Sequence, residues 1–422
     1  MTKVEILHRY DVSPPANTVP PTALPLTFFD ILFLRCCPMQ RLFFYDFPQS
    51  PPSFANTTLP LLVRSLSLCL RRFFPFSGNL VLPLAPPQKP HILYSDGDSL
   101  SLTVAQSAAD FAELISDEPH DATLIHPLVP QFPPPRESNG ARLWPLMAIQ
   151  VTLFPNKVIC IGVRFLHIAA DGRSFNHFMK SWASIYRSEG DPTCIDLSEA
   201  PLAIGAQVRA TFVFKKAHID GLKVQVLSQL KSATINLVSD PDPLVNISDE
   251  EHQRHDQSKS DKDELRHFCF LADCRGRLEY SIPSTYFGNC LSICFLSEKK
   301  NTLLSKSGLS HAAMVIVRRV TEIETGGALR ELEGWMRGLN ITDITNLVTV
   351  AVSPRLKAYD TDFGWGRLRK SSLVHIDQSG SISLMENKDE DGGVEIGLAL
   401  TRICMEKFIS LFEKGLKSFI PL

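Results

Sequence analysis

The sequence predicts a mixed α/β (α+β) chain folded as two domains. Three observations predict it. The 422 residues exceed the size at which one hydrophobic core keeps growing, so two cores are the default. Short apolar, β-branched runs read as buried strands, and other stretches carry apolar residues at helical spacing. The two kinds of element mix without a strict βαβ rhythm, and there is no internal repeat.

Taken in order, residues 13–25 and 127–135 are proline-rich and read as ordered surface connections. Leu61 to Phe74 has a helical apolar pattern, with Pro60 at its start and Pro75 as its stop. His91 to Val104 alternates around Asp96-Gly97, the signature of a hairpin turn. Ser107 to Ile115 reads as a short helix. Val158 to Val163 is an apolar, β-branched run of the buried-strand kind. Phe175, Phe178, Met179 and Trp182 then fall on one face of a helix that ends near Tyr186. The stretch Ser188-Glu-Gly-Asp-Pro192 looks like an exit from the first domain. The expected division is therefore 1–189, a linker at 190–210, and 211–422. In the second half, Ala217 to Leu230 and residues 310–322 and 403–418 read as helices. Strand-like runs start at Phe268, Leu291 and Leu347. Residues 249–266 carry 11 charges in 18 positions and read as a surface loop.

Composition narrows the class. The chain is 44% hydrophobic and 21% charged, which suits a globular protein with two sizeable cores. A net charge of −2 argues against nucleic-acid or membrane-surface partners. No apolar run is long enough for a membrane span, and the opening Met1 to Ile6 lacks a secretory apolar segment. Ten cysteines occur without a Cys-x-x-Cys pair. A reduced, cytoplasmic monomer is expected, with Cys69, Cys160, Cys294 and Cys404 as small core hydrophobes.

The chemistry concentrates in His167-Ile-Ala-Ala-Asp171-Gly172, between the predicted strand and the predicted helix. A base at the end of a rigid strand is held where a substrate can reach it. A second His-x-x-x-Asp match, His252 to Asp256, lies in a polar stretch and reads as solvated loop. His167 is a candidate general base, a metal ligand or a core histidine; no supporting metal ligands stand out. Asp171 fits two roles. It could orient His167 as a triad acid, or brace the loop against an arginine, with Arg275 and Arg277 as candidate partners. Asp362-Phe-Gly-Trp-Gly366 contains the kinase Asp-Phe-Gly, but the rest of that signature is missing. Gly364 and Gly366 around Trp365 instead suggest a tight turn. A Gly-x-Ser-x-Gly elbow and a phosphate-cradling glycine loop are absent, which excludes the common serine-hydrolase and nucleotide-hydrolase patterns.

Together these residues resemble the plant BAHD acyltransferases, which move acyl groups from coenzyme A thioesters to alcohols or amines. His167-Ile-Ala-Ala-Asp171-Gly172 and Asp362-Phe-Gly-Trp-Gly366 match two family signatures in order. Tyr286-Phe-Gly-Asn-Cys290 resembles the hallmark of the branch that acylates anthocyanins and phenolic glucosides, often with malonyl groups. Leu26 to Asp30, Arg41 to Tyr45, Asp171 to Ala183 and Gly392 to Gly397 also read like that branch.

The resemblance implies two chloramphenicol-acetyltransferase-like domains with the active-site channel between them. It implies that His167 takes the proton from a sugar hydroxyl, with Asp171 as the motif acid. No metal, bound cofactor or acyl-enzyme is implied, and acyl-CoA, with malonyl-CoA the expected donor, is a co-substrate. The partners implied are that donor and a glycosylated phenolic acceptor. Asp362, Gly364 and Gly366 are implied to be structural, as are Arg275 and Arg277, while Trp365 is a candidate for lining the site. Arg173 follows the motif directly, and a guanidinium there could pair with a malonyl carboxylate. One departure stands out. The branch continues after the 217–230 helix with a buried strand and helix, whereas here Ser239 to Leu244 runs into the charged stretch. The alternative reading is a non-catalytic or vestigial member lacking a core segment near 235–265.

Overall fold

The computed structural model describes residues 4–34, 36–155, 157–191, 208–238, 264–278, 282, 286–327, 346–366, 368–379 and 381–419. The chain forms two compact units whose segments interleave. The first comprises Met1–Val213, Pro283–Leu291 and Ala351–Lys407; the second comprises Phe214–Ile282, Ser292–Val350 and Phe408–Leu422. Residues 351–407, far beyond the expected linker, thus pack with the N-terminal half.

The first unit is built on a six-stranded mixed sheet. Its strands are β1 (Val4–Val12), β2 (Met39–Asp46), β3 (Leu100–Ser107), β4 (Met147–Phe154), β5 (Val158–Phe165) and β6 (Leu368–Leu373). Their order is β1-β3-β4-β5-β2-β6, with only β3 and β4 running parallel. Every residue of β4 is buried, and so is all of β5 except Arg164. Continuous apolar runs rather than alternation mark strands covered on both faces. Strand β2 shows the split. Phe43 and Tyr45 enter the cluster that holds Leu62, Leu66, Phe178 and Trp182, while Leu42 and Phe44 enter a second cluster with Leu114 and Leu128. At Gly162 a side chain would collide with the Leu128 carbonyl, so β5 needs a glycine to let this layer close.

Two helices cover the first face: α1 (Leu59–Leu70) and α2 (Gly172–Arg187). They are keyed together by Trp182, whose indole N–H donates to Ser65 Oγ at 3.1 Å. The expected helix at 61–74 stops early, because Phe74–Ser77 tightens into a 3₁₀ turn around Pro75.

The turn at Asp96-Gly97 is present, with Gly97 at φ +86° and Asp98 Oδ2 accepting from Ser95 N–H at 2.8 Å. The hairpin expected around it is not. His91–Tyr94 pairs with Thr22–Pro25 and Asn79–Pro83 in a five-stranded antiparallel sheet, whereas β3 pairs with β1 and β4. Alternation announces a buried face but not the partner along the edge. The expected helix at 107–115 shrinks to Phe111–Ile115, capped by Asp110, because Ser107 still belongs to β3. Cys404 is exposed, unlike buried Cys69, Cys160 and Cys294.

Of the expected linker 190–210, residues 192–207 lie outside the described residues, and Val208 already begins the strand Val208–Phe214. That strand lies beside Val394–Leu400, which pairs antiparallel with Ile382–Glu386. In the second unit, Leu265–Asp273 lies between Leu291–Lys299 and Leu347–Ala351, pairing parallel with the latter. Helices Lys216–Val238 and Gly308–Glu322 accompany them, and the C-terminal helix runs Arg402–Phe419. Most of the departure near 235–265 and of the charged stretch, residues 239–263, lies outside the described residues. Among the described residues, no helix is long and apolar enough to cross a membrane.

Candidate active site

His167 sits two residues past the end of β5, where Phe165 faces Met147 on one side and Met39 on the other. The chain then makes one 3₁₀ turn, His167–Ala169, and enters α2. Strand, turn and helix thus fix the backbone of the base within six residues.

The imidazole is 1% exposed and stacks on Phe33, with ring centroids 3.6 Å apart and planes 4° from parallel. Among the described residues, neither ring nitrogen has a hydrogen-bond partner. Burial against apolar surface disfavours the charged ring and pushes its pKa down to about 4. The side chain is therefore neutral at physiological pH, with a lone pair that no donor among the described residues occupies.

Asp171 is fully buried and serves as the N-cap of α2. Its Oδ1 accepts from Ser174 N–H and Ser174 Oγ, both at 3.1 Å, and its Oδ2 accepts from Cys290 N–H at 2.9 Å. None of these bonds reaches the imidazole; of the two roles expected of Asp171, they fit bracing, here of the helix start and of the 288–290 strand entry.

The Tyr286–Cys290 segment locks the motif from the other side. Gly288 N–H donates to Ser174 Oγ at 3.1 Å, and φ at Gly288 is +136°, a conformation closed to residues with side chains. Asn289, fully buried, donates through Nδ2 to the carbonyls of His167 at 2.9 Å and Ile168 at 3.4 Å, and to Asp30 Oδ1 at 2.9 Å. Asp30 in turn closes a capping box with Thr27, its Oδ2 accepting from Thr27 N–H at 2.7 Å. Phe33 and Asp30 come from the same short segment, so one stretch holds both the ring face and the amide clamp.

Arg173 is the second residue of α2 and half-buried. One turn on, burial and the neighbouring charges of Arg173 and Lys180 strongly depress the His177 pKa. The Asp362–Gly366 loop lies at the opposite end of α2. Asp362 pairs with Arg187 at 2.8 Å and accepts from Gly364 N–H at 2.7 Å, while Gly364 and Gly366 take φ of +78° and +124°. Trp365 stacks on Phe363 at 4.8 Å and donates to Tyr186 Oη at 3.0 Å. Tyr186 is four turns along the helix from Gly172, roughly 20 Å by the rise per residue. The Trp365 indole thus packs against the aromatic core at the far end of α2 from the motif. A cleft of about 430 Å³ runs along this loop, bounded by Tyr359, Asp362, Gly364, Gly366 and Leu368. Arg275 and Arg277 belong to the second unit. There Arg275 pairs with Asp273 at 3.1 Å, and Arg277 pairs with Glu324 at 3.2 Å.

Sequence reasoning overlooked Asn289, Asp30, Phe33 and Ser174. The spacing Thr27-x-x-Asp30 is a capping-box signal that marks a short helix start. Nothing in the sequence says that this helix abuts His167.

The Transferase family model matches residues 2–235 and 251–414. Coumaroyl-CoA:anthocyanidin 3-O-glucoside-6''-O-coumaroyltransferase 1 of Arabidopsis thaliana is 36% identical over 463 aligned positions, covering 98% of each chain. Malonyl-coenzyme A:anthocyanin 3-O-glucoside-6''-O-malonyltransferase of Dahlia pinnata is 33% identical, also over 98% of each chain. Phenolic glucoside malonyltransferase 1 of Arabidopsis thaliana is 33% identical over 94% of each. Among solved structures, vinorine synthase superposes with a TM-score of 0.68 at 20% identity, covering 96% of each chain. TRI101 of F. sporotrichioides, complexed with coenzyme A and T-2, gives 0.60 at 14% identity over 92% of this chain and 96% of that one. These likenesses bear out the expected mixed α/β fold.

Proposed function

We infer the reaction from the family: the chain belongs to the Transferase family and is a BAHD acyl-CoA-dependent acyltransferase. It acts, on this reading, as an O-acyltransferase that carries an acyl group from acyl-CoA to a sugar hydroxyl of an anthocyanin or other phenolic glucoside. The acceptor class rests on relatives whose names specify such glucosides.

His167 is the general base. The observation that carries this role is its neutral, buried imidazole, held at the end of β5 with no partner among the described residues on either ring nitrogen. The ring takes the proton of the acceptor hydroxyl as its oxygen attacks the thioester carbonyl. The tetrahedral oxyanion collapses, the carbon–sulfur bond breaks, and the proton returns to the coenzyme A sulfur. No acyl-enzyme forms, because the acceptor oxygen itself attacks the thioester. Free cysteines throughout the described residues support a reducing compartment such as the cytoplasm.

For the donor, malonyl-CoA rests on Arg173, whose guanidinium follows the motif and can pair with a free carboxylate. Coumaroyl-CoA is the second reading, favoured by the coumaroyltransferase relative at 36% identity. Thiol release from each donor, with and without a panel of anthocyanin and phenolic glucosides, tests both. Acceptor-dependent release from malonyl-CoA that an Arg173→Ala change weakens through KM supports the first. Release from coumaroyl-CoA that is indifferent to this change supports the second. Release from neither donor contradicts the activity.

A further inference from the structure

Among the described residues, both ring nitrogens of His167 and Oδ1 of Asn289 are buried with no hydrogen-bond partner. The orientation of the Asn289 amide is not in question. Its Nδ2 faces a carboxylate oxygen and two carbonyls, all acceptors, so a flipped amide would set oxygen against three oxygens. The remaining amide oxygen is thus an acceptor without a donor, on a side chain bonded to the carbonyl of His167 itself. A neutral imidazole carries one N–H that needs an acceptor, and the acceptor it finds decides which nitrogen keeps the lone pair.

We propose that Asn289 is a positioning residue for His167, its Oδ1 accepting the imidazole N–H so that the other ring nitrogen is the one that takes the substrate proton. The proposal rests on His167 being the general base. In the resting geometry the Oδ1–imidazole bond is not closed, as is common for catalytic hydrogen bonds before substrate binds. No bond to Asn289 is made or broken in the reaction. Its oxygen holds the ring in one tautomer and offsets part of the cost of charging it. Consistently, after the backbone of His167 itself, the Asn289 side chain favours the protonated ring, against the larger opposing effect of burial. Asp30 acts one step further back, by fixing which way the amide points.

The test begins with the wild-type protein labelled with ¹⁵N-histidine, using two-bond ¹H–¹⁵N correlations with His167→Gln to assign the ring. A single tautomer at neutral pH is expected. An averaged mixture of both tautomers would overturn the proposal without any variant of Asn289. Asn289→Ala is then expected to release the tautomer and lower the ring pKa. It should also cut kcat by about 10–100-fold with little change in KM, part of the roughly 10²–10⁴-fold that general-base catalysis contributes. Asn289→Asp keeps an oxygen facing the ring and is expected to move the pKa up instead. A purely structural Asn289 would shift the melting temperature in both variants while leaving tautomer and pKa alone, and that result also overturns the proposal. If no donor releases thiol, the assigned reaction fails, and the tautomer spectrum still decides the role of Asn289.

Discussion

The Phe33 ring lies flat against the His167 imidazole, its centroid 3.6 Å away and its plane 4° from parallel. The contact excludes water from one face of the base and sets its proton affinity through burial. With the pKa pushed down to about 4, the acid limb of kcat/KM is expected near that value rather than near the ordinary histidine range. Phe33→Ala should hydrate the ring and move the limb toward higher pH. A limb that stays in place after the change would show that Phe33 does not set this environment.

The Asp171 carboxylate accepts from Ser174 and Cys290 and makes no bond to the imidazole. Asp171→Ala should therefore act mainly on stability, at about 0.5–2 kcal/mol for a lost N-cap, with more for the stranded Cys290 N–H. Measured per folded molecule by melting and active-site titration, its kcat should exceed that of His167→Ala. Equal losses in the two variants would restore the triad assignment.

At the far end of α2, the Asp362–Arg187 pair is about half exposed on both sides, and exposed pairs contribute about 0–1 kcal/mol. Arg187→Ala is expected to change the melting temperature little. Trp365→Phe removes the bond to Tyr186 and should lower stability while leaving KM for acyl-CoA unchanged. A rise in KM alone would put the indole beside substrate after all.

The two depressed histidines, His167 of the motif and His177 on α2, give stability a definite pH dependence. His167 and His177 both hold folded pKa values below the unfolded value near 6.5. The unfolded chain therefore binds more protons as pH falls below that value, and stability is lost from about pH 6.5 down toward pH 4. Among the described residues that bracket the His167 turn, Asp30 is held by Thr27 and Asn289, and Asp171 by the helix start. The urea midpoint should be lower at pH 5 than at pH 7, and His167→Gln should shrink that difference.

How much of this was legible in the sequence depended on whether the signal was local. Strand β5 and helix α2 follow from an unbroken apolar run and a 3.6-residue stripe, so the motif's placement could be read directly. The turn at Gly97 was legible too, but the partners of the strands on either side were not, since alternation carries no information about the neighbour. The Phe33 stack and the Asn289 clamp join positions over a hundred residues apart, for which a single sequence holds no periodic signal. The Gly-Asn-Cys of residues 288–290 was visible as a motif, but its function as a clamp on the His167 turn required the fold.

The most direct test of the central claim compares wild type with His167→Ala for coenzyme A release from malonyl-CoA and coumaroyl-CoA, in the presence of an anthocyanin glucoside. The account predicts acceptor-dependent release by the wild type and a loss of about 10²–10⁴-fold in the variant at unchanged folding. Release that survives the substitution would contradict His167 as the base.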